Sequence, residues 1–186
     1  MKYTFSLLLL TLLLVACETS KFEREFECDT PSSYTQTKNY KDVLGHFEVD
    51  IPSSWKTELY YDEYQSALYT ADTTKTLRET FILDMAWRQG ELVLNKDFEI
   101  RVAQNAERNL KLVPVKSGFG EYLGNPAYYH IATGKGDDLN WHYLEVYVQH
   151  KVDEYYVFTS KIYGDEYVSE RICASFSIFN KLAFLD

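Results

Sequence analysis

The sequence predicts an α+β domain in which an antiparallel sheet is covered by helices on both faces. Three observations predict it. Most of the chain beyond Asn39 alternates apolar and polar residues with period two, and two segments repeat apolar residues at helical spacing. Four of the alternating runs also follow one another as a meander between the two helical segments. A length of 186 residues suits one domain with a tail. Hydrophobic content of 46% with 25% charged residues excludes a disordered acidic chain, a collagen and a multi-spanning membrane protein.

Each element has its own signal. Phe47, Val49 and Ile51 alternate with His46, Glu48 and Asp50, and Pro52 closes that strand. Residues 56–61 and 66–71 read as two strands around the polar turn Asp62-Glu63. Phe81, Leu83, Met85 and Trp87 form one apolar face of the next strand, with Ile82 and Ala86 on the other, the pattern of a central strand covered on both sides. Leu94, Phe98, Val102, Ala106 and Leu110 then recur every four residues, with Asn95 placed to cap the helix and Asp97 at its positive end. Pro114 returns the chain to extended structure, and strands follow over 115–123, 127–133, 140–150 and 155–163. Gly124-Asn125-Pro126 and 134–138 supply the first two turns. Val168, Ile172 and Phe176 align in a last helix over 165–176, with Asp165 and Glu166 at its start.

Ahead of this domain the chain is of another kind. Residues 1–16 hold one cation, Lys2, and an apolar run of about a dozen residues, short of the ~20 that span a bilayer, so they read as an export signal. Leu14-Val15-Ala16-Cys17 resembles a bacterial lipobox. That resemblance implies a diacylglyceryl group on the Cys17 sulfur, cleavage after Ala16, and anchoring by two or three acyl chains of the palmitate kind. The bare alternative is an ordinary export signal whose first mature residue is a cysteine. Residues 17–37 mix charge, Ser, Thr and Pro and read as the lipidated N-terminus and a tether, with a short interfacial or packed helix as the alternative because Phe22 and Phe26 are one helical turn apart; the globular domain is expected over 38–186. Removing the signal takes away one positive charge, so the net charge of −9 becomes −10 in the mature part. That balance argues against nucleic acid as a partner.

With Cys17 lipidated, Cys28 and Cys173 remain as an even pair in an exported chain. Two readings stay open: a disulfide closing a long loop, worth ~4 kcal/mol, or a buried Cys173 with an idle thiol at Cys28.

Chemistry-bearing residues are sparse in pattern. His142 and His150 share a strand face, but eight residues at ~3.3 Å place them about 26 Å apart. With His46 and His130 they form no metal-ligand spacing, so no metal and no cofactor are expected. Asp-Glu-Tyr recurs at Asp62, Asp153 and Asp165, in expected turns and at a helix start, and Asp137-Asp138 lacks the loop of a strong calcium site. No nucleophile elbow or phosphate loop occurs. The candidate binding face is the strand side carrying Trp141, Tyr143, Glu145, Tyr147 and Gln149, where aromatic planes between polar groups can stack on sugars or anchor a protein. If helices cover both sheet faces, Trp141, Tyr143 and Tyr147 are packing residues instead.

Phe47-Glu48-Val49-Asp50-Ile51-Pro52-Ser53-Ser54-Trp55 resembles the opening strand-Pro-x-x-Trp element of the PsbP-like fold, shared with Ran-binding Mog proteins and several bacterial lipoproteins. Gly124-Asn125-Pro126-Ala127 is similar to an inter-strand turn of that family. So is Tyr155-Tyr156-Val157-Phe158-Thr159, leading to a helix that closes with Ala174-Ser175-Phe176. Ser53-Ser54 stands where a glycine is common before the tryptophan. The resemblance implies an α/β/α sandwich and a non-enzymatic binding or assembly role; no motif for photosystem or Ran binding is present, so neither is carried over. The expectation is therefore a lipid-anchored envelope protein that binds a partner protein or small ligand without catalysis. Glu18 after the anchor, in place of aspartate, favours the outer membrane. The rival expectations are an envelope hydrolase with a spatially assembled Asp/Glu/His site, and a structural or immunity-type lipoprotein.

Overall fold

The structure is a computed structural model and describes residues 21–28, 34–136 and 139–185. The export signal over 1–16, Cys17 and Asp137-Asp138 lie outside the described residues. Along the chain run α1 (Lys21–Glu25), β1 (Thr37–Lys41), β2 (Phe47–Pro52), β3 (Lys56–Tyr61), β4 (Gln65–Ala71) and β5 (Phe81–Gln89). Then come α2 (Lys96–Arg108), β6 (Val113–Tyr122), β7 (Asn125–Lys135), β8 (Asn140–Gln149), β9 (Glu154–Tyr163), α3 (Val168–Phe179) and β10 (Ala183–Phe184). β3 to β9 form a seven-stranded antiparallel sheet in the order β3-β4-β5-β9-β8-β7-β6, and β1-β2-β10 form a separate three-stranded sheet.

Period-two alternation sorts the large sheet into two unlike faces. Leu83 and Met85 of β5, Tyr156 and Phe158 of β9, Leu144 and Val146 of β8, and Tyr129 of β7 are buried in one core with Phe47, Val49 and Ile51 of β2 and Ile172, Phe176 and Phe179 of α3. Small residues let α3 approach closely, with the Ser160 and Ser175 hydroxyls 2.7 Å apart. Arg171, itself buried, anchors the start of α3 by donating to the carbonyls of Arg78, Thr80 and Tyr163 at 2.9 to 3.1 Å.

The second face is only partly covered. The predicted cap forms, with Phe98 N donating to Asn95 Oδ1 at 2.9 Å, but α2 buries just Val102 and Ala106 and lies against β6 and β7. A helix about 10 Å across spans two strands spaced ~4.8 Å apart. The expected antiparallel sheet with helices forms, with α3 against one face and α2 against part of the other. One face is covered by α3 together with a small sheet that period alone did not separate, and the other is open beyond the reach of α2.

In the described part of the segment 17–37, read as a tether, the short helix that the Phe22 and Phe26 spacing allowed forms and packs against the domain. Phe22 of α1 is fully buried, stacked 5.9 Å from Tyr122 and edge-on 5.0 Å from Tyr129, whose hydroxyl donates to Glu25 Oε1 at 2.5 Å. Cys28 is bonded to Cys173, with Cα atoms 5.3 Å apart. Lys21–Glu25 is thus part of the packed body. The last helix starts at Val168, after Tyr167 in the left-handed region, because Asp165 is held elsewhere: it accepts from Asn140 Nδ2 at 2.7 Å and pairs with His142 Nε2 at 2.9 Å. Among the described residues no helix is long and apolar enough to cross a membrane.

Candidate functional site

Antiparallel register lays one row of mostly polar residues across all seven strands of the incompletely covered face. From β3 to β6 it reads Glu58, Tyr69, Asp84, Thr159, Glu145, His130 and Ser117. A parallel row reads Tyr60, Ala67, Ala86, Val157, Tyr147, Tyr128 and Phe119. α2 covers the β6–β7 end of these rows; the β3–β5 end is open.

At the open end lies a shallow depression of about 500 Å³ lined by Glu58, Tyr60, Gln65, Ala67, Tyr69, Asp84, Ala86 and Arg88. Ala67 and Ala86 form a small-residue floor. Tyr60 and Tyr69, both exposed, stand at its side with ring centroids 5.3 Å apart and planes 88° to one another. The Tyr60 hydroxyl donates to Glu58, which is also paired with Lys56 at 2.6 Å, so the Glu58 charge is answered locally. Among the described residues Asp84 Oδ1 and Arg88 Nε have no hydrogen-bond partner. Burial pushes the Asp84 carboxyl up to about 6, although Tyr69 and Arg88 both draw it back.

Two strands away, Glu145 is 8% exposed and accepts from the Tyr143 hydroxyl at 3.2 Å. Burial raises its pKa, and raises those of Tyr143 and Tyr147 beside it. His130, next in the row, is buried with neither ring nitrogen hydrogen-bonded among the described residues, and desolvation lowers its pKa.

The candidate face named from sequence lies on this side of the sheet, at the α2 end rather than the open end. Trp141 packs with Ala106, Leu112 and Ala132, and lies over Gly134 so closely that a Cβ there would fall 2.2 Å from its indole nitrogen. Lys161 Nζ sits 4.1 Å from the Trp141 ring. Tyr147 meets Phe98 of α2 edge-on at 5.0 Å, and Tyr143 lies at the border of the covered half. The histidines are scattered: His46 stacks on Trp87 at 3.6 Å, and His150 stacks on Phe184 at 4.3 Å with Glu154 nearby. Asp62 holds the β3–β4 turn by accepting from the Tyr64 and Gln65 amides. Among the described residues no group of three or more His, Cys, Asp or Glu side chains could hold a metal ion.

No protein-family model matches the sequence, and no curated protein does. Solved structures do. Cyanobacterial PsbP from Synechocystis superposes with a TM-score of 0.61 over 84% of this chain and 96% of its own, at 9% identity. The chain has a PsbP-like fold. A protein from Bacteroides thetaiotaomicron superposes at 0.50 with 13% identity over 82% of this chain, which spans 50% of that longer protein. LpqN of Mycobacterium tuberculosis, described as involved in cell envelope biogenesis, has 12% identity over 84% of this chain and 90% of its own, but its TM-score of 0.38 is too low to carry weight.

In this PsbP-like domain the strand-Pro-x-x-Trp element is β2 and the turn after it, where Trp55 N donates to Pro52 O at 3.0 Å and the buried indole meets Phe81 edge-on at 5.2 Å. The element serves the core and not the open face. Tyr60, Tyr69, Asp84 and Arg88 were missed by sequence reasoning. A signal was present: Asp84 and Arg88 alternate with Ile82 and Ala86 on a strand whose other face is apolar from Phe81 to Trp87. Which residues of other strands stand beside them depends on register, which the spacing does not contain.

Proposed function

We propose that this chain is a lipid-anchored cell-envelope protein whose PsbP-like domain binds a ligand or partner protein, without catalysis, at the open half of the large sheet. The export signal and lipobox support the address, with the outer membrane preferred from Glu18. One observation carries the binding reading. The face left open by α2 brings exposed Tyr60 and Tyr69 together with Asp84 and Arg88, two side chains whose polar capacity the protein does not fully use. Buried polar groups are normally satisfied, so such a pair beside exposed aromatic rings favours a surface completed by something else.

A hydrolytic reading draws on Asp84 and Glu145, carboxyls on either side of Thr159 with raised pKa values. Against it stands the burial of Glu145. The test is a photo-reactive residue at position 60 in the anchored protein in its own cells, with position 152 in the β8–β9 turn as control. Adducts of any mass formed at 60 and not at 152 are expected. Equal yields at the two positions would remove the binding reading.

A further inference from the structure

We propose that the depression over β3–β5 is a binding site for a neutral oligosaccharide. The inference rests on the binding reading above and specifies its ligand. The first argument is charge. Glu58 is answered by Lys56 and by the Tyr60 hydroxyl, and Asp84 shares the depression with Arg88, so no single sign of charge dominates. An anion meets the two carboxylates and a cation meets Arg88; a neutral ligand pays neither repulsion.

The second argument is the kind of polar group on offer. A sugar hydroxyl donates one hydrogen bond and accepts others, so a sugar needs donors and acceptors side by side. Asp84 accepts, Arg88 donates, and Gln65, directly opposite Arg88 across the β4–β5 pair, does both. The third is shape. Tyr60 and Tyr69 make a right-angled corner of two aromatic planes over the Ala67 and Ala86 floor. A pyranose presents an apolar C–H face to one ring and its edge to the other, and the Glu58 contact holds the Tyr60 ring in place beforehand. The volume of about 500 Å³ lies within the range of small-molecule sites and suits a short run of sugar units. A peptide strand adding to the free edge of β3 would use backbone groups and would not need Tyr69 or Asp84.

The test is binding of the full lipidated chain, in a detergent without a sugar headgroup, to an array of cello-, xylo-, manno-, malto- and fully N-acetylated chito-hexaoses. Retention on at least one class is expected, with affinity reduced tenfold or more by Tyr69→Ala and by Asp84→Asn, and unchanged by Tyr61→Ala on the other side of the same hairpin. Thermal unfolding is read beside binding for both variants, because the Tyr69 hydroxyl contacts Asp84; Tyr69→Phe, which keeps the ring, should retain binding and keeps the result interpretable if Tyr69→Ala or Asp84→Asn perturbs the sheet. Retention on no class, or retention that survives both variants, overturns the proposal. If that happens while adducts still form at position 60, only the ligand class falls. If adducts are absent as well, the binding face falls with it.

Discussion

Asp84 is a carboxyl in a place that favours its neutral form. Its pKa rises from 3.8 to about 6 through burial, so in this range the folded state holds a proton that the unfolded chain has released. Stability attributable to Asp84 therefore falls as pH rises from about 4 to about 6 and stays low above that. Asp84→Asn should be more stable than the parent at pH 7.5 by up to about 3 kcal/mol and nearly equal to it at pH 3.5, measured by urea unfolding at both pH values. Gly134 is constrained differently: a methyl group there collides with the Trp141 indole. Gly134→Ala should cost about 1–3 kcal/mol in the same assay. At this scale the sequence was partly legible. The Phe81, Leu83, Met85 and Trp87 face and the Asn95 cap were readable because both are local patterns. The role of Trp141 was not, because Gly134 and Lys161 reach it from neighbouring strands.

Elements were legible where one period persisted. Strands β2 to β9 and α2 follow from alternation or from four-residue spacing; β2, β4, β5, β7, β8 and β9 bury at least one face against the body, while the edge strands β3 and β6 stay largely exposed. β1 and β10 lack that signal: β1 is exposed along most of its length and β10 has two residues, and each exists by pairing with β2. α1 shows how a polar composition hides a core residue. Its five residues are too few to be stable alone, so Phe22 and the Cys28–Cys173 bond hold it in place. Phe22→Ala should lower stability by about 3–5 kcal/mol by chemical denaturation. A tether would show no change. In the proposed binding reading α2 matters by what it leaves uncovered: a longer helix or a second one would have closed the face over β3–β5.

At the scale of the molecule, the fold and the candidate site stand in different relation to the sequence. The PsbP-like resemblance carried by β2 and by the β9-to-α3 segment pointed to the architecture, and the superposition on cyanobacterial PsbP agrees with it. The site could not be seen that way, since Tyr60, Tyr69, Asp84 and Arg88 come from three strands and meet only through register. The proposed address makes its own prediction: Cys17→Ser should move the protein from the membrane fraction to the soluble fraction after cell breakage, with the fold unchanged by circular dichroism. The central claim is that the open face is occupied in the cell, and radical footprinting of tyrosines tests it most directly. Tyr60 and Tyr69 are 50% and 42% exposed, against 63% for Tyr61 and 71% for Tyr167. In intact cells Tyr60 and Tyr69 should be protected relative to the purified protein while Tyr61 and Tyr167 react as before. Equal labelling of all four tyrosines in both settings would contradict it.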